Sequence, residues 1–176
     1  MFKSCKSMSP IMGLALLTAA LTPLIPMSAN AANICAERSE RAALDMRVLQ
    51  SELMVAALTC GQRSEYNTFV SVFKPHLKQH GAKLQGFFAK AYGNGGSRQL
   101  NRMVTRLANQ ASSRTLSQPT SQFCAQAQSR FKMVLNASPT QLAYIARTNP
   151  AAAEHGYRSC VEVAEGESSV KQPSSN

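Results

Sequence analysis

From residue 35 onward, apolar residues recur at spacings of three and four, the period of helices that bury one face. Cys35, Ala42, Leu49 and Ala56 interleave with Ser39, Met46, Leu53 and Cys60 in a seven-residue seam, which predicts a first helix over 35–60. Glu37 with Arg41, and Arg41 with Asp45, form i,i+4 pairs on its outer side. Gly61 stands where a left-handed residue would end it. A second seam follows a capping Ser64 and reads Tyr66, Val70, Phe73, Leu77, His80, Leu84, Phe87 and Ala91. Pro75 removes one amide from that ladder, so a kink or a break with restart is expected there.

Tyr92-Gly93-Asn94-Gly95-Gly96 closes this element, and Ser97 is placed to cap a third helix with Leu100, Val104, Leu107 and Ala111 inward. A fourth helix over about 121–135 carries Cys124, Ala127, Phe131 and Val134 on one face. Ser138-Pro139-Thr140-Gln141 is the strongest local signal. It combines an N-cap, a proline at the first helical position and a capping-box glutamine, followed by Leu142, Ile145 and Ala146. Asn149-Pro150 repeats the device ahead of a short last helix towards Cys160. With no useful period-2 pattern, the expected fold is all-α: a small antiparallel helical bundle of about five to six helices, stapled by two disulfides.

The ends of the chain read differently. Lys3 and Lys6 precede an uncharged apolar run from Ile11 to Met27, and Ala29-x-Ala31 offers a small-residue cleavage site, which predicts a secretory signal peptide over 1–31. The run is at the short limit for a membrane span and is interrupted by Pro23 and Pro26. Ala32-Asn33-Ile34, ahead of Cys35, lacks the pattern of a lipidation site. A helical domain over 32–163 and a polar tail over 164–176 complete the organisation, and a periplasmic or secreted location is expected.

Export leaves four cysteines, and an even number in an oxidising compartment implies two disulfides. If Cys35 and Cys60 both lie on the first helix they are separated by roughly 37 Å, beyond disulfide reach. Short connections between successive helices bring Cys60 near Cys124, leaving Cys35 to join Cys160. The cysteine spacing contains neither a thioredoxin-like pair nor a c-type haem motif.

Charge sharpens the picture. The whole chain carries 19 Lys and Arg against 9 Asp and Glu. Between Tyr66 and Ala153 there are eleven cations and no acid: Lys74, Lys78, Lys83, Lys90, Arg98, Arg102, Arg106, Arg114, Arg130, Lys132 and Arg147. Arg98, Arg102 and Arg106 form an i, i+4, i+8 row, and with Lys83 and Lys90 they are the candidate anion-binding residues. The competing expectation is an ordinary solvated face, partly neutralised by Glu37, Glu40, Glu52 and the acidic tail.

Other candidates are weaker. His76 and His80 have the i,i+4 spacing of a shared metal, but no carboxylate lies nearby in sequence and His80 falls on the apolar seam. Tyr66, Phe69, Phe73, Phe87, Phe88 and Tyr92 interleave with lysines as in single-strand binding proteins, though three of them are seam positions and Phe69 and Phe88 flank the seam, widening it or forming a partner patch. The Gly93–Gly96 loop lacks the lysine and preceding strand of a phosphate loop. With no carboxylate pair, nucleophile–base pair or metal triad in the central region, no catalytic residues and no cofactor are assigned. The expected role is therefore a non-enzymatic binding or accessory protein of the cell envelope, using a basic helical face against an anionic lipid, lipopolysaccharide or cell-wall polyanion. Nucleic acid is a less favoured anion. The alternatives are a protein–protein interaction subunit of an envelope assembly and a small metal or haem carrier using His76 and His80.

Overall fold

The computed structural model describes residues 34–160; the expected signal peptide and polar tail lie outside the described residues. The chain is an all-α bundle with six α-helices among them: α1 (Arg38–Cys60), α2 (Arg63–Val72), α3 (Lys74–Tyr92), α4 (Gly96–Thr115), α5 (Thr120–Leu135) and α6 (Pro139–Arg147). Two-residue strands β1 (Cys35–Ala36) and β2 (Arg158–Ser159) pair in parallel and bring the ends of this region together. Among the described residues no helix is long and apolar enough to cross a membrane.

Helix α1 is the axis of the fold and packs against all five other α-helices. Met46, Leu49, Leu53, Ala56 and Ala57 join Phe69, Phe73, Phe131, Val134 and Leu142 in one core. Ala43, Leu44 and Val48 join Leu84, Phe87, Phe88, Met103 and Leu107 in a second. At 100° per residue these two sets occupy different faces of one helix, so the seven-residue seam describes only one of its two apolar surfaces. Phe69 and Phe88 are both fully enclosed, widening the seam of the second and third helices into core on either side.

Several boundaries differ from the sequence expectation. Cys35 lies in β1, before α1, because Glu37 is the N-cap and its amide donates to the Glu40 carboxylate at 2.8 Å. The long second helix breaks at Phe73, with Pro75 in the first turn of the restarted α3, where its missing N–H costs nothing. Ser64 does not cap: Gln62 precedes α2, and the Ser64 hydroxyl bonds the Glu65 side chain at 2.8 Å. Neither does Ser97, because Gly93–Gly95 form a 3-10 turn that runs directly into α4.

The Ser138–Gln141 capping box is formed, with Gln141 N–H donating to Ser138 Oγ and Ser138 N–H to Gln141 Oε1. Asn149 does not start a last α-helix. Its Oδ1 accepts from Ala151 N–H at 3.1 Å, and a 3-10 turn over Ala152–His155 leads into β2. Gly61 ends α1 with φ 71°, the left-handed conformation expected of it.

The disulfides are Cys35–Cys160 and Cys60–Cys124, with Cα separations of 4.7 and 5.4 Å. They cross-link positions 125 and 64 residues apart. On the chain-entropy view, loops of that size stabilise by about 4–5 kcal/mol each.

The start of α4 lies close against α3 at Gly96, which is buried. A Cβ at this position would lie 2.6 Å from the Phe88 carbonyl oxygen and 2.8 Å from its carbon, both backbone atoms that cannot swing aside. We expect Gly96→Ala to lower the unfolding free energy by about 1–3 kcal/mol, read from urea denaturation of the oxidised protein. An unchanged midpoint would mean that α3 and α4 are not held this closely.

Candidate functional site

The outer face of α4 carries the arginine row. Arg98, Arg102 and Arg106 are exposed and stand one turn apart along the helix, about 6 Å for each step of four residues. They line one broad, shallow depression with Asn101, Thr105 and Asn109, and at its far end Arg114 and the carboxylate of Glu154 also border it. Each of these polar residues stands three positions after an arginine of the row, so one face offers guanidinium, amide and hydroxyl donors together. Among the described residues Arg98 and Arg102 make no ion pair. Arg106 is fixed at its inner side, where Nη2 donates to the His155 carbonyl at 2.7 Å.

Lys83 and Lys90 are not part of this surface. Lys83 lines a separate depression with Ser39 and Glu40, and Lys90 lines another with Glu37 and the Cys35–Cys160 disulfide. Seven residues apart on α3, the two lysines share a stripe directed at the acidic start of α1. The five candidate anion-binding residues therefore divide into a row of three arginines and two lysines beside carboxylates.

Tertiary packing pairs two of the eleven cations with one carboxylate. Glu52 of α1 accepts from Arg114 at 2.8 Å and Arg130 at 3.0 Å, and from the Asn149 amide. Arg114 additionally pairs with Glu154. One carboxylate, with its side chain only 12% exposed, thus ties α1 to α4, α5 and the segment after α6. Asp45, seven residues before Glu52 on the same strip of α1, meets the C-terminal segment in a similar way. His155 Nε2 faces Asp45 Oδ1 at 3.4 Å, an ion-pair separation rather than a formed hydrogen bond. His155 Nδ1 accepts from Tyr157 N–H at 3.0 Å, so the ring's proton sits on Nε2, towards the carboxylate. Burial and the hydroxyl of Tyr92, 3.2 Å away, raise the Tyr157 phenol far above the ordinary tyrosine range and keep it neutral.

His76 and His80 are both half-buried on α3. Among the described residues no group of three or more His, Cys, Asp or Glu side chains is gathered as a metal would require. The polar residues between the arginines were legible in the sequence as an i+3/i+4 stripe. So was the Arg41–Asp45 pair, formed at 3.5 Å, whereas the Glu52 contacts and the approach of His155 to Asp45 were not, because those partners lie 62 to 110 residues away. No family model matches this chain, and neither a curated protein nor a solved structure matches it.

Two outcomes follow. Glu52→Gln removes the charge that two guanidinium groups share and should destabilise the oxidised protein by about 1–3 kcal/mol in urea unfolding; a change within 0.5 kcal/mol would deny the carboxylate its tying role. The second concerns pH. Burial, and then the neighbouring His76, lower the His80 pKa below its usual 6.5. The unfolded chain therefore binds more protons than the folded one as pH falls through that value, and stability declines with acidification. His80→Gln should flatten the fall in melting temperature between pH 7.5 and 5, whereas an unaltered slope would assign the acid sensitivity to other groups.

Proposed function

We propose that this protein is an exported, non-enzymatic accessory protein of the cell envelope whose α4 face binds a phosphate-bearing polyanion, such as an anionic lipid surface or lipopolysaccharide. The reading rests on one observation: three exposed arginines at successive turns, interleaved with hydrogen-bonding side chains, on a face where Arg98 and Arg102 have no ion-pair partner among the described residues. Arginine suits this role because its planar fork donates two parallel hydrogen bonds to phosphate oxygens. The Arg106 contact with the His155 carbonyl fixes one end of the row against the C-terminal segment. The two disulfides suit an oxidising compartment, in keeping with export.

A cation near an anionic membrane surface contributes about 1 kcal/mol. Replacing Arg98, Arg102 and Arg106 together by Gln should therefore weaken binding to phosphatidylglycerol-containing vesicles about a hundredfold, with an unchanged circular dichroism spectrum. Binding of the unaltered protein should weaken as salt is raised from 50 to 200 mM. If the triple variant binds as well as the original, or if binding does not depend on salt, the α4 row is not the anion surface.

A further inference from the structure

On the side of α1 turned away from Asp45 and Glu52, a cavity of about 320 Å³ opens between α1, α3 and α4. That volume is within the range of small-ligand pockets. Its walls divide by chemistry. Leu84, Leu100 and Val104 supply apolar surface, while Arg47, His80 and Asn101 supply polar groups.

Arg47 is the unusual member. Among the described residues it makes no ion pair, and it points away from Asp45 and Glu52. Its Nη1 donates to Gln50 Oε1 at 3.0 Å, but its buried Nε has no protein partner. A guanidinium cannot discard its proton to escape this situation, and a buried donor without an acceptor costs about 1–3 kcal/mol, more when charged. Burial acts on it in the expected direction, lowering its pKa from the ordinary arginine value.

Gly81 adds an independent observation. It lies within α3, where glycine costs about 0.5–1 kcal/mol relative to alanine, and it lines the cavity. Unlike Gly96, it has no backbone neighbour that requires it: an added Cβ would meet nothing within 4 Å. A side chain there would instead project into open space beside the cavity.

We propose that this cavity binds a small aliphatic monocarboxylate, with the carboxylate on the Arg47 guanidinium and the hydrocarbon chain against Leu84, Leu100 and Val104. His80 and Asn101 supply further hydrogen bonds to the carboxylate. The site shares Asn101 with the face of the α4 row but none of its three arginines, so substitutions of those arginines and of Arg47 test the two readings separately.

Isothermal titration of the full oxidised chain with hexanoate tests the proposal, with hexanol as the uncharged control and acetate as the control without a tail. Saturable binding of one hexanoate per chain is expected, at least tenfold tighter than either control. Arg47→Gln should weaken it at least tenfold. Gly81→Met, which fills space without a clash and favours the helix, should do the same while preserving the melting temperature, so the proposal does not depend on Arg47→Gln folding. The triple glutamine variant of Arg98, Arg102 and Arg106 should bind hexanoate within twofold of the original. No saturable binding, acetate binding as tight as hexanoate, or full affinity in Gly81→Met would each overturn the proposal.

Discussion

The structure depends on α1 being covered on more than one side. A helix with a single apolar stripe can sit at the edge of a bundle, whereas α1 carries two apolar faces, each filled by a different set of neighbours. One core gathers α2, α5 and α6, and the other gathers α3 and α4. Burial of apolar surface at about 25 cal/mol per Å² favours closing both halves around the same helix. The cystine between Cys60 and Cys124 then ties the end of α1 to α5, while the one between Cys35 and Cys160 joins the segment before α1 to β2.

Where the two cores meet, α1 presents a polar strip, and this is where the charge pattern is resolved. Asp45 and Glu52 sit one heptad apart and receive His155, Arg114, Arg130 and Asn149 from three later parts of the chain. Such contacts are worth most when they are complete, because removing one partner leaves a desolvated charge behind. They also decide which cations remain at the surface. Arg114 and Arg130 become half-exposed ties to Glu52, whereas Arg98 and Arg102 of the α4 row make no ion pair among the described residues.

The same geometry accounts for Arg47. Two residues beyond Asp45, it is turned by about 200° around the helix axis, away from the strip that holds Asp45 and Glu52; Glu40, one heptad earlier on Arg47's own side, accepts from the Glu37 amide and makes no ion pair with it. Arg47 is thereby placed at the edge of the cavity between α3 and α4, with no ion-pair partner among the described residues.

Much of the fold was legible from spacing alone. The Ser138–Gln141 box, the Gly61 terminus, the break near Pro75 and the helical segments themselves are local effects, set by backbone hydrogen bonding within four residues. The disulfide partners were also found, although the step that placed Cys35 inside the first helix was wrong; Glu37 starts α1 after it. Ser64, Ser97 and Asn149 show the limit of capping signals: each is a suitable residue for a cap, but neighbouring turns, not the side chain alone, decide where a helix begins.

By itself, then, the sequence determined the helices, their apolar faces and the long stretch lacking acids, because each is a property of neighbours along the chain. Only the tertiary structure decided that α1 is buried from two sides, that Lys83 and Lys90 separate from the arginine row, and that Glu52 pairs with Arg114 and Arg130. Electrostatic partners are chosen by distance in space. Here that distance was fixed by how two apolar cores closed around one helix.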